Sequence, residues 1–545
     1  MDAPPRPRAW IVALLLFGAA LALYARTADF AFVEYDDPAY VRDNPHLAQG
    51  LSPASVAWAL TSTSYQYNWH PLTWLSHALD VELFGLDAGR HHLVNALLHA
   101  LNAALFFLAF RALSGRSWPS ACVAALFALH PLRVESVAWI AERKDVLAGT
   151  FLALTLLAYA RHARAPSRAR FVWVVLALAA GLMAKPTLVT VPFVLLLLDV
   201  GPLGRGAESH APASRRTPRE LWLEKLPLFA LSLASIVLTL VSQQRGGALR
   251  ASIALSERLA NAALAYPTTL AQFFWPFDLA VFYPHPALVE PEHSRWLAAA
   301  LALLGLALLG ALAWRARRSA PWMVVGTCWF LGMLVPMSGL LQVGYLAHAD
   351  RYAYLAQLGL ELALVFGTAE LARARPALRP ALASLCALVL GALALRSWNQ
   401  LGVWRDSRAL FEHALAVTEH NFVAHNNLGL VLATEGREDE ALAHFEAAAA
   451  AWPGFPEAEL NAGYSRYRRG EYALARAAFE RALAANPKSG AAHLYLGATL
   501  AREGDFARAE TELDAALASE PTLQGDARAL GLRALLDGRG QDAPR

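Results

Sequence analysis

The chain has 545 residues, 56% of them apolar and 17% charged, with a mean hydropathy of +0.34, a balance that excludes an ordinary water-soluble enzyme. The net charge of +3 at pH 7 is small, and the arginines sit at the ends of apolar runs instead of forming one basic face, which argues against a nucleic-acid partner. Cys122, Cys328 and Cys386 all lie inside apolar runs without ligand spacing, so they predict neither a disulfide framework nor a zinc site.

Charge-free runs recur at 10–25, 117–132, 146–160, 226–244, 296–314 and 319–349, and a bilayer-spanning helix needs roughly 20 mostly apolar residues. Residues 1–397 therefore read as a polytopic membrane domain. The first run is expected to be a retained span, because Tyr24-Ala25-Arg26 is a poor signal cleavage site. Basic clusters at Arg6/Arg8, Arg111/Arg116, Arg161/Arg164/Arg168/Arg170, Arg205/Arg215/Arg216/Arg219, Arg315/Arg317/Arg318 and Arg373/Arg375/Arg379 put those loops in the cytoplasm. The loops near 26–90, 133–145, 243–295 and 342–352 then face the other side. With 259–274 lying along the interface, about 11 spans are expected.

The outward loops carry the residues with chemistry. In Glu34-Tyr35-Asp36-Asp37-Pro38, two adjacent carboxylates stand at the membrane surface, suited to a general base on an acceptor hydroxyl, or to a simple turn before proline. Asn68-Trp69-His70-Pro71 follows. His91 or His92, Asn95 and His99 then recur at helical spacing, lining a cavity or satisfying buried polar groups; Asn95 stands where a second metal-binding imidazole would be needed.

The loop from His130 to Asp145 holds Glu135, Glu142 and Asp145 beside Arg133, Arg143 and Lys144, which is costly at a span unless the charges pair or face water. Arg143 and Lys144 suit a lipid-linked phosphate, and Asp145 an acceptor, a metal or Arg143; a helix-end anchor is the plain alternative. Lys185-Pro186 lies between two apolar runs, and His348-Ala349-Asp350-Arg351-Tyr352 opens a late span. There, Arg351 meets a phosphate or pairs with Asp350.

From 398 onward charged residues become frequent and a repeat appears. Gly429, Gly463 and Gly497, then Ala441, Ala475 and Ala509, then Pro453, Pro487 and Pro521 each advance by 34 residues. Phe445 and Phe479 keep the step, and Phe411 and Ala414 precede Phe445 and Ala448 by the same amount. This is the tetratricopeptide pattern, so residues 398–545 are expected to form an α-solenoid of about three and a half units, a binding surface without chemistry of its own.

Together and in order, the Tyr-Asp-Asp loop, Asn-Trp-His-Pro-Leu-Thr-Trp, His-Pro-Leu-Arg-Val-Glu-Ser-Val-Ala, Arg-Tyr-Ala-Tyr-Leu and the terminal repeats resemble bacterial relatives of the transmembrane and tetratricopeptide-repeat protein O-mannosyltransferases, integral membrane glycosyltransferases of the GT-C fold. The resemblance implies an all-α protein with a polyprenyl-phosphate-linked sugar as donor. A hexose such as mannose would pass, with inversion, to an acceptor hydroxyl on a protein at the extracytoplasmic face of a bacterial inner membrane. The repeats would lie on that same side and bind the acceptor or a partner protein.

It further implies Asp36 or Asp37 as the acceptor-orienting base, Arg351 as a donor-phosphate ligand, and Arg143, Lys144 and Asp145 as the matching second loop; from the residues themselves, Arg143, Lys144 and Lys185 are expected to join the phosphate ligands and Asp145 the catalytic carboxylates. Tyr35, Asn68, His70, His91, His92, His130, Glu135 and Asp350 would line the cavity. Eukaryotic relatives tend to carry a shorter Gly-Arg-Ala-Asp-like stretch where this chain has Arg143, Lys144 and Asp145. A divalent metal at the carboxylates stays open, and no other cofactor is implied. Two other readings compete: a non-catalytic scaffold, for which one span would suffice, and a transporter, which only Glu361 inside a late span favours.

Overall fold

In a computed structural model the described residues are 8–63, 65–205, 216–246, 253–291, 294–342 and 344–540; Arg6 and Arg215 of the basic clusters lie outside them. The described residues are helical, with no β-strand among them. Two compact units form, Met1–Val281 with Pro291–Leu410, and Phe282–Glu290 with Phe411–Arg545.

The first unit begins with α1 (Ala9–Tyr24), α2 (Pro53–Thr61), α3 (Pro71–Phe84) and α4 (Ala88–Ser114). Asp87 caps α4 by accepting the Arg90 N–H, and left-handed Gly115 ends it. Then come α5 (Ser117–Leu129), the short α6 (Val134–Ala138), α7 (Arg143–Arg164), α8 (Arg168–Ala184) and α9 (Val191–Val200). α5 and the segment Pro131–Ala138 meet at 62°, because Pro131 supplies no N–H to continue the ladder. The chain continues through α10 (Pro218–Gly246), α11 (Leu255–Phe274), α12 (Pro286–Val289) in the second unit, α13 (Trp296–Arg315), α14 (Pro321–Leu334), α15 (Ala353–Ala374) and α16 (Arg379–Leu401).

Among the described residues seven helices are long and apolar enough to cross a bilayer, or eight if the bent pair is one span; Pro186–Val200 and Pro321–Met337 are shorter apolar helices. The expected count of about 11 is therefore not reached by length and composition. The chain is a multi-pass membrane protein. α13 and α16 bury almost none of their apolar windows, as lipid-facing helices do.

The core between spans is aromatic and polar together. Phe127 packs edge-on against Phe106 and Tyr354 at 4.9 and 5.3 Å. Asn102 Nδ2 donates to the Val146 carbonyl at 2.8 Å, and His99 Nδ1 lies 3.0 Å from the Tyr354 hydroxyl. Fully buried Arg133 donates to the Ala353 and Tyr354 carbonyls and to Glu361 at 2.6 Å, which makes Glu361 part of a structural ion pair. Gly326 and Gly359 let α14 and α15 touch backbone to backbone, since a Cβ on either would collide with the other's carbonyl.

The first unit runs past the change in composition at 398. Trp404 lies 5.7 Å from Trp139, and the Arg405 carbonyl accepts the Ala31 N–H at 3.0 Å, so this connection is held by the membrane unit.

α17 (Ser407–Val417) carries buried Phe411 and Ala414 into the second unit. Three helix pairs follow: α18 (Phe422–Thr434) with α19 (Glu438–Ala451), α20 (Pro456–Arg468) with α21 (Tyr472–Ala485), and α22 (Gly490–Glu503) with α23 (Phe506–Ser519), before α24 (Ala527–Gly540). A Cβ at Gly429 would stand 2.6 Å from the Phe445 ring, and one at Gly463 2.7 Å from that of Phe479. The repeating glycine is thus the space each aromatic ring fills. A second glycine series, Gly436, Gly470 and Gly504, turns each pair at φ of +79, +78 and +90°, a conformation β-carbons disfavour.

Candidate active site

The loop after α1 brings its two carboxylates to different duties. Asp37 is fully buried, and its oxygens accept the Val33 N–H at 3.0 Å and the Ala141 N–H at 2.9 Å. It therefore staples this loop to the second one. Burial pushes its carboxyl up to about 7, against the pull of those two amides. Asp36, half-buried, lines a cavity instead. Burial raises its pKa, Lys144 and Arg351 oppose the rise, and Glu142 adds to it. A π-helical turn over Pro38–Arg42 then carries Tyr40 to the cavity wall.

The cavity holds about 300 Å³, and Asp36, Tyr40, Asn68, Lys144, Lys185 and Arg351 are among its lining residues. Gln66 and Tyr67 also line it, both with left-handed backbone (φ 47 and 61°), local strain of the kind that collects at binding sites. A second space of about 180 Å³ shares Asn68, Lys144 and Lys185 and adds His70 and the apolar side chains Ile236 and Leu240 of α10. Buried His70 lies 4.6 Å from Trp74 and 5.7 Å from Tyr40. Burial, with Lys144 and Lys185 adding, holds its imidazole neutral.

Glu142, where a tight turn meets α7, organises the cations. It pairs with Lys144 at 3.1 Å, Lys185 at 3.2 Å and Arg351 at 3.2 Å. Lys185 also reaches Asp145 at 2.7 Å, and Ser136 donates to the other Asp145 oxygen at 3.0 Å. Burial lowers the Lys185 pKa, yet the facing Asp145 and Glu142 carboxylates carry it above its usual value. Arg351 pairs with Glu135 at 2.5 Å through Nη1, while its backbone N–H donates to the same carboxylate at 2.6 Å. Its guanidinium also lies over Trp139, which stacks on Tyr35 at 5.3 Å.

The order of exposure carries the chemical meaning. Lys144, Lys185 and Arg351 side chains are 12, 8 and 13% exposed, whereas Glu142, Asp145 and Glu135 are 3, 4 and 2%. Carboxylates stand behind and cations in front. The carboxylates fix the positions of the cations without covering the faces turned to the cavity, so an anion can meet three positive charges there.

Other residues expected at the site lie elsewhere. Arg143 is fully buried and donates to Asp80 at 2.6 Å, Ser76 at 2.8 Å, the His91 carbonyl at 2.9 Å and Asn95. Successive helical residues point about 100° apart, so Arg143 turns into the α3–α4 packing while Lys144 turns to the cavity. His91 and His92 donate through Nε2 to the carbonyls of Gly85 and Ala31 at 2.9 and 3.1 Å. His130 accepts the Leu132 N–H at 3.2 Å and stacks on Phe273. Asp350 accepts from Gln272 at 3.0 Å. None of these five is among the cavity-lining residues. Glu135 and Asp145 act from behind Arg351 and Lys185.

Glu142 was not singled out by the sequence, although its place among three loop carboxylates was visible. Tyr40, Gln66, Tyr67 and Gln243 had no signal of their own. Among the described residues, no three metal-ligating side chains converge at this cavity.

Residues 392–456 and 460–524 match the tetratricopeptide repeat family. The chain is similar to protein O-mannosyl-transferases. Tmtc2 of Drosophila melanogaster is 35% identical over 194 residues, 33% of this chain and 21% of that protein. Human TMTC4 is 25% identical across 79% of this chain and 65% of its own length, and human TMTC1 25% identical across 83% and 56%. The chain thus spans about a fifth of the first of these relatives and between half and two thirds of the others.

Proposed function

We propose that this chain is an integral membrane glycosyltransferase that moves a hexose such as mannose from a polyprenyl-phosphate carrier to a hydroxyl, with a protein as acceptor. What carries the reading is the arrangement of Lys144, Lys185 and Arg351, cations in front of buried carboxylates, with Asp36 lining the same cavity. The names of the similar proteins and the repeats support it.

In this mechanism the carrier phosphate rests against the three cations. The acceptor oxygen attacks the anomeric carbon from the opposite face, its proton passes to Asp36, and the carbon–oxygen bond to phosphate breaks, leaving the carrier phosphate with its charge spread over the cations. Configuration inverts. Asp37 positions the loop of Asp36, Glu135 and Asp145 hold Arg351 and Lys185, and the apolar wall from α10 accommodates the start of the isoprenoid chain. No cofactor is required; a divalent ion at Asp36 stays an open addition.

We place the reaction on the extracytoplasmic side of a bacterial inner membrane, opposite the arginine-rich loops, with the repeats on that side selecting an acceptor or partner protein. The experiment is a comparative envelope glycoproteome of cells producing the wild-type chain or Asp36→Asn, with equal membrane insertion confirmed. Loss of one defined sugar mass from a set of proteins is the expected result. Unchanged glycoproteins and glycolipids would overturn the proposal in favour of a membrane-anchored scaffold.

A further inference from the structure

Away from the cavity, the hairpin of α3 and α4 gathers three potential ligands that the mechanism does not use. His77 and Asp80 stand one turn apart on α3, and His91 faces them from the first turn of α4. One ligand atom from each lies within 4.8 Å of the others. All three are buried, His77 and His91 fully.

Their hydrogen bonding leaves a deficit. His91 Nε2 lies 2.9 Å from the Gly85 carbonyl, an acceptor, so the ring proton sits on Nε2 and Nδ1 carries a lone pair. That lone pair points at an oxygen of Asp80 3.5 Å away and makes no hydrogen bond. Two acceptors facing each other out of water repel unless a cation or proton lies between them. His77 is worse placed, with neither ring nitrogen bonded to anything. Arg143 donates to that same Asp80 oxygen at 2.6 Å, which leaves the oxygen a further lone pair, and it is the outer contact that orients a ligating carboxylate, as the Gly85 carbonyl orients His91.

We propose that His77, Asp80 and His91 bind one divalent transition-metal ion, zinc by the chemistry of two imidazoles and a carboxylate. A tetrahedral zinc ion at about 2.0–2.1 Å from its ligands sets them roughly 3.3 Å apart, close to the present His91–Asp80 spacing. The ion clips α3 to α4. Through Asp80 and the His91 carbonyl it steadies Arg143, and hence the start of α7 that carries Glu142 and Lys144.

The test uses the full chain without a histidine tag, purified in detergent, stripped with a chelator, loaded with Zn²⁺ and desalted, with bound metal measured by mass spectrometry. About one zinc per chain is expected in the wild type, falling at least about tenfold in His77→Ala and in His91→Gln. Zinc should raise the melting temperature of the wild type and not of these two variants. His425 and His444 also meet, Nδ1 to Nδ1 at 3.0 Å, so His425→Ala serves as control and must keep its zinc.

Should the α3–α4 variants fail to fold, Co²⁺ loading of the wild type decides. Visible bands of tetrahedral Co²⁺ that persist in His425→Ala support the site, and their absence overturns it. Wild-type chain without zinc, or zinc lost only in His425→Ala, also overturns it.

Discussion

Two ionic clusters sit near opposite ends of α7, roughly 20 Å apart at 1.5 Å per residue. One surrounds Glu142 at the cavity. In the other, Asp199 at the end of α9 meets Arg205 at 2.9 Å and also Lys225, while Glu224 takes Arg205 and Lys225 at 2.8 Å each. Tyr159 donates to Asp199 at 2.6 Å. Here Arg205, Lys225 and Asp199 are 3, 0 and 0% exposed, and only Glu224, at 20%, reaches further out.

The charge types are the same and the exposure differs. In this second cluster both cations are sealed in with Asp199, so the cluster, which joins α7, α9 and α10, offers a ligand no positive face. Around Glu142 the carboxylates lie deeper than the cations, which keep a face at the cavity wall. What separates a fastening from a binding site is thus whether its cations reach open space.

The comparison breaks most visibly in activity. Asp36→Asn should lower sugar transfer about 10²–10⁴-fold by removing the base, and Arg351→Ala or Lys185→Met about 10²–10³-fold by removing phosphate stabilisation. All three should insert normally, and transfer within tenfold of wild type would contradict the assigned roles.

Lys225→Met should do the opposite. Leaving Asp199 and Glu224 without that partner costs about 3–5 kcal/mol of stability, read as a lower melting temperature, while transfer per folded molecule stays within a few fold. A variant that melts normally but has lost transfer would make the second cluster a site too.

Smaller effects sharpen the contrast through pH. Asp36 works as a base only when ionised, and burial raises its pKa. Transfer should therefore climb with pH through a range above that of ordinary carboxylates; a rate already flat above pH 4 would contradict this assignment. Asp37 titrates near 7 in the folded chain, against about 3.9 unfolded. Its folded form binds the proton more tightly, so its contribution to stability is full below about pH 4 and is lost as pH rises through 7. Asp37→Asn should flatten the melting temperature over that window. Smallest of all, Arg437→Ala removes an exposed pair with Glu440 and should leave the melting temperature unchanged.

Much of this was legible in the sequence. Apolar runs gave most of the spans, and the 34-residue step of glycine, alanine and proline gave the solenoid, because each repeat must leave the same gap for the same ring. The loops that build the cavity were also recognisable from their charges.

Roles within those loops were not. Asp36 and Asp37 are neighbours with the same side chain, and only the folded loop shows Asp37 spending both oxygens on amides. Arg143 and Lys144 part company because a helix begins there, a phase set by the turn before it. The shared role of Glu142 arises from partners at 144, 185 and 351, contacts no local pattern encodes. The span count fell short of expectation because some apolar runs are broken by proline into pieces too short to qualify.

The cavity also has a history within a single round of synthesis. Its wall draws on residues from Asp36 to Tyr352, and Asp37 cannot fasten its loop until Ala141 has emerged. A ribosome feeding this chain into the membrane completes the first loop hundreds of residues before Arg351 exists. The cavity wall is therefore complete only after the late helices have been made, and a chain stopped before Arg351 would lack the cation that pairs with both Glu135 and Glu142.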